Sequence, residues 1–351
     1  MANLSNLSYR FLRPLLFALS PETAHAVALR ALQSLHRLHL LRGPARRSSS
    51  IENFVDSMGL RFPNRVGLAA GFDKNGRYVD ALGALGFGFI EIGTVTPRPQ
   101  SGQPSPRLFR LPQAHALLNR MGFPNDGAHV VAQRLARRRF RGVLGVNIGK
   151  NAITPIEVAV DDYVTCFRLL AAYADYVAIN VSSPNTPGLR RLQSRESLEP
   201  ILTALLGERS ALQKTSSRRV PLLVKVSPDM MAAELIDLAN LVRKLHIDGV
   251  IATNSTVSRD GIDGFAISRE AGGLSGLPLR ARSCRTVRDL REAFGPDVTI
   301  IGVGGIESGS DALDTLSAGA NLVQIYTGLV YRGPSLIREA IAATESRAGR
   351  S

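Results

Sequence analysis

The sequence predicts a (β/α)8 barrel, a TIM barrel, with an N-terminal helical hairpin extension. Three observations carry this. From residue 66 onward eight short apolar runs alternate with helical patterns. The runs are nearly continuous in Val, Ile and Leu, as parallel strands buried on both faces require. Residues 1–47 are of a different material, basic and helical in period. Eight strand–helix units in about 280 residues fit a closed barrel. A doubly wound open sheet is the alternative, but no GxGxxG follows the first run. The expected division is therefore 1–47 as hairpin and 48–351 as barrel.

The hairpin comes first. Residues 1–47 carry seven arginines (Arg10, Arg13, Arg30, Arg37, Arg42, Arg46, Arg47) against one acid, Glu22, which is +6 of the chain's +14. "NLSYRFLRPLLFALSP" sets Leu12, Leu15, Leu16 and Leu19 at helical spacing. Ser20 caps a second helix, Pro21 suits its first position and Glu22 its positive end. That helix lines up Ala24, Val27, Ala28, Ala31, Leu32 and Leu35, and Gly43-Pro44 is expected to end the unit. Such helices can lie in a membrane interface without crossing it. They can equally pack on the main domain, in which case His25 is an ordinary partly buried histidine. A basic, acid-poor amphipathic start also resembles an organellar transit segment.

The segment "VDSMGLRFPN" reads as a β-hairpin closing the barrel's lower mouth. The strand candidates are then 66–71, 88–95, 142–149, 176–183, 221–228, 249–254, 298–305 and 322–328. The excess length of the 96–125 and 255–277 loops suggests functional covers. "RLARRRFRG" (134–141) could be a nucleic-acid patch. It is equally a solvated helix end whose arginines complement the helix dipole, and it lacks interleaved aromatics.

Bulk composition narrows the class. Hydrophobic residues make up 44% and charged residues 21% of 351, enough for a real core. The net charge of +14 attracts anions, unless it reflects only an Arg-rich composition. Cys166 and Cys284 lack partners at metal-ligand spacing, which argues against a metal site and for a reducing compartment. Cys166 sits in a helical pattern and is expected in the core. No run reaches the ~18 apolar residues of a spanning helix, and no secretory cleavage signal is evident.

Barrel chemistry sits at the C-terminal strand ends, and here nearly every strand ends in polar groups. The strand ends are, in order, Ala70, Gly71, Asp73 and Lys74; Thr94; Asn147; Asn180 and Ser183; Lys225; Thr253 and Asn254; Gly304 and Gly305; Tyr326 and Thr327. Packing alone does not explain that convergence. "IIGVGGIESGSDA" and "QIYTGLVYRGP" offer glycine-rich strand–helix junctions suited to a phosphate. Lys225 lies in an apolar strand, where lysine is rarely unpaired. It could face an anionic ligand, form a Schiff base, or sit in a structural ion pair. Ser183 has no triad around it.

These stretches are also familiar as a set. "NRVGLAAGFDKNG", "NRMGFPNDG", "GVNIGKN", "INVSSPNTPGLR", "GVIATNST", "GGLSGLPL", "IIGVGGIESGSDA" and "LVQIYTGLVYRGP" resemble the class 2, membrane-associated dihydroorotate dehydrogenases, over about residues 9–340. The resemblance implies an FMN enzyme that oxidises (S)-dihydroorotate to orotate in pyrimidine biosynthesis and passes electrons to a quinone. It implies Ser183 as catalytic base. It implies FMN contacts at Ala70, Gly71, Phe72, Asp73, Lys74, Thr94, Asn147, Asn180, Lys225, Thr253, Gly276, Gly305, Tyr326 and Thr327. Substrate contacts fall on Lys74, Asn119, Arg120, Met121, Gly122, Phe123, Asn180, Asn185, Asn254 and Ser255. His25 and Arg110 would line a quinone tunnel under the hairpin. Ser255, Thr327 and Phe72 depart from the commoner Thr, Ser and Leu; the first two keep a hydroxyl. No nucleic acid and no metal is expected. The implied location is peripheral, on the cytoplasmic face of a bacterial inner membrane. The nearest alternatives are an FMN barrel enzyme with a soluble acceptor, fumarate or an NAD-linked partner, and a lyase using Lys225.

Overall fold

The computed structural model describes residues 2–41 and 54–348. Two helices, α1 (Ala2–Ala18) and α2 (Pro21–Arg37), come first. A short ribbon follows, β1 (Val55–Ser57) and β2 (Leu60–Phe62), then β3 (Val66–Leu68), α3 (Val79–Gly83) and β4 (Phe89–Val95). The chain continues through β5 (Leu108–Leu111), β6 (Ala116–Asn119), α4 (Ala128–Leu135), β7 (Val143–Ile148), α5 (Ala159–Leu170) and β8 (Tyr176–Asn180). Next are α6 (Arg195–Ser216), β9 (Leu222–Val226), α7 (Ala232–Lys244), β10 (Gly249–Ala252) and β11 (Gly273–Gly276). Last are α8 (Arg280–Phe294), β12 (Thr299–Val303), α9 (Gly309–Ser317), β13 (Leu322–Ile325), α10 (Thr327–Arg332) and α11 (Ser335–Ala348).

Eight parallel strands close in the order β10-β12-β13-β3-β4-β7-β8-β9. The closed barrel is the predicted fold, and the open sheet is excluded. All eight expected strands are present, and half of them stop before the residues expected at their ends: β3 ends at Leu68, β10 at Ala252, β12 at Val303 and β13 at Ile325. Ala70, Lys74, Thr253, Asn254 and Tyr326 therefore belong to the loops above the barrel, where Thr253 and Asn254 are still held by their backbone N–H groups donating to the Val303 and Val226 carbonyls at 2.8 Å.

The β1–β2 ribbon plugs the opposite mouth, as expected. Phe62 packs edge-on against Phe89 with ring centres 5.3 Å apart. Ser57 Oγ and Thr299 Oγ1 share a hydrogen bond of 2.8 Å. The two long loops supply β5, β6 and β11, a three-stranded antiparallel sheet. In it Asn119 pairs with Gly273 on one side and Leu108 on the other. Both loops thus build one cover over the upper mouth.

Ser20 accepts a hydrogen bond from the Thr23 N–H and caps α2, with Pro21 at its first turn. α2 packs on the barrel with only part of the face the apolar spacing suggests. Ala24 and Leu29 are buried, while Val27 and Leu35 are exposed. The helix is apolar on two sides, and the periodicity alone does not say which side meets protein. α1 is anchored by Tyr9 Oη donating to the Val330 carbonyl at 2.5 Å and by Arg13 donating to the Tyr331 carbonyl at 3.0 Å. α2 ends at Arg37; Gly43-Pro44 and the boundary at 47/48 lie outside the described residues. Cys166 is buried and both cysteines are free. Among the described residues no helix is long and apolar enough to cross a membrane, and no cluster of His, Cys, Asp or Glu could hold a metal.

Candidate active site

The polar strand ends surround one cavity of about 1280 Å³, its open mouth included. Ala70, Gly71, Lys74, Thr94, Asn180, Ser183, Lys225, Thr253, Asn254 and Ser255 reach it from the loops and ends of five strands. Gly276, Gly305, Tyr326 and Thr327 close one end. Asn119, Met121, Gly122, Phe123 and Asn185 come from the cover and from the loop after β8, and His25 from α2.

The floor is built on a buried charge pair. Lys225 Nζ lies 3.8 Å from Glu91 Oε1. Glu91, wholly buried, accepts from Asn147 Nδ2 at 2.8 Å, Tyr176 Oη at 2.9 Å and Gln324 Nε2 at 2.7 Å. Burial pushes the Lys225 pKa down, and Glu91 pulls it partly back. The lysine is thus both paired and exposed to the cavity. Thr94 Oγ1 donates to Asn147 Oδ1 at 2.6 Å and accepts from Asn180 Nδ2 at 2.8 Å, which fixes two neighbouring floor groups.

One wall is the segment after β8. Asn180 Oδ1 accepts from Ser182 and from Asn254 Nδ2 at 3.3 Å. Asn185 donates from Nδ2 to Asn119 Oδ1 at 2.8 Å, joining wall to cover. Ser183 Oγ accepts the Asn185 N–H at 3.2 Å. Arg190 braces the wall from behind, donating to the carbonyls of Ser182 and Ser255 and pairing with Asp229 at 3.0 Å. Amide groups linked in this way hold orientations before any ligand arrives.

At the mouth, Lys74 Nζ donates to the Gly71 carbonyl at 2.7 Å. Burial lowers its pKa to about 8, with Glu22 opposing the shift. Glu22 also lines the cavity and is held by Arg107 Nε at 2.9 Å. His25 Nε2 meets the Phe72 carbonyl at 2.8 Å, and burial lowers the His25 pKa to about 4. The ring is therefore neutral with Nε2 protonated, and Nδ1 keeps a lone pair.

Five of the expected residues do not line the cavity. Phe72 packs between the rings of His25 and Tyr326. Asp73 accepts the N–H groups of Asn75, Arg77 and Tyr78 and shapes the turn that presents Lys74. Asn147 stands behind Thr94. Arg120 turns outward to Glu270 and the Pro106 carbonyl. Arg110 stacks over Phe17, 4.1 Å from its ring centre, and donates to the Phe17 carbonyl at 3.1 Å. Each of the five holds another element in place. Sequence reasoning missed Glu91, Gln324, Glu22 and Ser275. Glu91 had a signal: an acid inside "GFIEIGTV" mirrors the lysine inside "PLLVKVSP", and two opposite charges in apolar strands of one barrel point at each other.

The cavity fits a flat, phosphorylated cofactor such as FMN. Thr253 Oγ1 and Gln324 Oε1 are buried in its lining without a hydrogen-bond partner, which leaves groups for a polar ring edge. Gly276 and Gly305 have φ of +98° and +69°, and a Cβ at either would collide with backbone within 3.0 Å. Only glycine fits these two positions, and both line one end of the cavity, where backbone without a side chain suits a phosphate.

Fold and site thus define a barrel oxidoreductase of the flavin-binding kind. The dihydroorotate dehydrogenase family profile matches residues 54–346. The chain is 54% identical over 336 residues to a Chromobacterium violaceum protein described as dihydroorotate dehydrogenase (quinone), covering 96% of this chain and 97% of that one. It is 52% identical over 339 residues to a Cellvibrio japonicus protein of the same description, covering 96% and 98%. The crystal structure of DHODH from Eimeria tenella in complex with ferulenol superposes with a TM-score of 0.84 at 39% identity, over 92% of this chain and 90% of that one. The chain belongs to the dihydroorotate dehydrogenase family.

Proposed function

We propose that this chain oxidises (S)-dihydroorotate to orotate in pyrimidine biosynthesis, using FMN and passing electrons to a quinone. The observation that carries this reading is the arrival of Ser183, Lys74 and the asparagines Asn119, Asn180, Asn185 and Asn254 at one cavity from separate elements. The Lys74 ammonium matches a carboxylate, and primary amides both donate to and accept from an imide edge.

In this assignment Lys74 anchors the substrate carboxylate and the asparagine set fixes the ring. Ser183 Oγ takes the C5 proton while its own proton passes toward solvent, with Thr186 as the next group. Thr186 Oγ1 is buried without a partner, so its hydroxyl is available to a passing proton. FMN, when bound, supplies a two-electron acceptor for the C6 hydride. Ala70, Gly71, Thr94, Asn180, Lys225, Thr253, Gly276, Gly305, Tyr326 and Thr327 hold it, with Lys225 where charge builds on reduction. Ser255, Met121, Gly122 and Phe123 complete the substrate pocket.

Residues 1–47 form the quinone-admitting unit, and 48–351 the catalytic barrel. His25 lines the quinone path, and Arg110 holds its wall through Phe17. Exposed Phe11, Leu12 and Leu15 support peripheral attachment to the cytoplasmic face of a bacterial inner membrane. Anaerobic titration with dihydroorotate tests the core of this reading. Stoichiometric bleaching of flavin absorbance, reversed by a quinone and not by fumarate or NAD, is expected. Flavin that stays oxidised in excess dihydroorotate would overturn it.

A further inference from the structure

We propose that the groove between the C-terminal turn of α2 and the α3–α4 face binds the phosphate headgroup of an anionic membrane lipid. This rests on the reading that the enzyme works at a membrane surface, and it names a site and a lipid class for that contact. The groove encloses about 1520 Å³, its open side included. Six arginines line it: Arg37, Arg77, Arg134, Arg137, Arg138 and Arg139. The "RLARRRFRG" run is thereby brought against the end of α2, which no sequence spacing indicated.

Three of the six are committed elsewhere. Arg77 and Arg134 share Asp126 at 2.7 and 2.5 Å, and Arg138 reaches Asp175 at 3.4 Å. Among the described residues the guanidinium groups of Arg37, Arg137 and Arg139 have no acidic partner. Asp80 faces the groove too, but its carboxylate accepts the backbone N–H groups of Arg139 and Phe140 at 2.8 and 2.7 Å. Three cations thus converge on one concavity that no acid among the described residues pairs with.

The rim of the groove identifies its occupant. Leu38 and Leu40 are 67% and 64% exposed, and they alternate with the groove-lining His36, Arg37 and His39. The hairpin exposes further apolar residues at Leu35, Val27 and Phe11, the last 73% exposed. Leucines that enter the acyl boundary beside arginines at headgroup depth are what an anionic bilayer accommodates. A soluble polyanion would satisfy the arginines and leave the leucines in water.

The test is vesicle flotation of the full-length holoenzyme at low salt. Phosphatidylcholine vesicles are compared with the same vesicles containing phosphatidylglycerol. The wild type should prefer the phosphatidylglycerol vesicles. The Arg37→Gln/Arg137→Gln/Arg139→Gln variant should lose roughly five-fold in partitioning per arginine, about a hundred-fold in all, toward the level on neutral vesicles. The corresponding triple lysine variant should retain the preference. Dihydroorotate oxidation with a soluble dye should be unchanged in both, which also reports that they fold. Equal partitioning of the wild type between the two vesicles would overturn the proposal. So would wild-type vesicle binding by the glutamine variant, or loss from that variant of single-stranded DNA or inorganic phosphate binding with the vesicle preference intact. Absence of dye-linked oxidation in the wild type would instead strike at the proposed activity, leaving the vesicle comparison to stand on its own.

Discussion

Lys225 Nζ and Glu91 Oε1 face each other across 3.8 Å on the cavity floor, each in the middle of an apolar strand. Three donors already surround Glu91 and hold its carboxylate oxygens in place. Among the described residues Lys225 has only Glu91 as a charged neighbour, and burial works against its protonation. Removing one member of such a pair leaves a buried charge uncompensated, at about 3–5 kcal/mol. Glu91→Gln should therefore lower stability by about 3 kcal/mol or more in urea unfolding with excess FMN. Adding Lys225→Met should recover part of that loss. Strictly additive effects in the double variant would show that the pair is not coupled.

Among the described residues no histidine or carboxylate is hydrogen-bonded to Ser183, so its reactivity depends on where its own proton goes. Ser183→Ala should slow flavin bleaching by dihydroorotate about 10²–10⁴-fold, the usual scale for a base, with orotate affinity preserved. Thr186→Val should also slow bleaching, because it removes the buried Oγ1 that lacks any other partner. An unchanged reductive half-reaction in Thr186→Val would refute the relay.

The strand ends were legible because a parallel barrel imposes a simple rule. Apolar runs mark the strands, and the first polar residue after each marks the mouth. Asn180 and Thr253 follow directly from it, whereas Lys225 interrupts its apolar run from within. Distinguishing a residue that lines the cavity from one that supports its neighbour was not possible from spacing. Asp73 and Lys74 are adjacent, yet one carboxylate is consumed by three backbone N–H groups and the other side chain reaches the cavity. The face of α2 was misread in part for a related reason. Val27 and Leu35 satisfy the same helical period as Ala24 and Leu32, and only the packed structure shows which apolar side meets protein.

Lys74 makes substrate binding sensitive to pH. Burial lowers its pKa from 10.5 to about 8, so in the free enzyme the ammonium is lost as pH rises through about 8. Orotate carries a carboxylate and prefers the charged form. Its dissociation constant should be flat below that pH and should rise up to ten-fold per pH unit above it. Binding should take up a proton in the same range, as measured by calorimetry in buffers of different ionisation enthalpy. Lys74→Met should weaken orotate binding and abolish the pH dependence. A flat profile from pH 7 to about 9.5 in the wild type would detach Lys74 from the carboxylate.

The hairpin should be dispensable for substrate oxidation and needed for the acceptor. Its contribution to the cavity is Glu22 and His25, at the mouth rather than on the floor where Lys225 and Asn180 lie. Deleting residues 1–42 should abolish quinone turnover while dihydroorotate still bleaches the flavin and orotate still binds. His25→Ala in the full chain should slow quinone turnover alone. Because the His25 pKa is lowered to about 4, the ring stays neutral at physiological pH, and its Nε2–H remains on the Phe72 carbonyl. The same shift sets a stability dependence. The unfolded histidine takes up a proton below its ordinary 6.5, which the folded one resists until about 4. Stability from this group is thus present above 6.5 and is lost as pH falls between those values. His25→Ala should flatten that part of the acid-unfolding curve, which a surface histidine would not do. A truncated chain that reduces quinone at the full-length rate would mean that the acceptor reaches the flavin by a route the hairpin does not border.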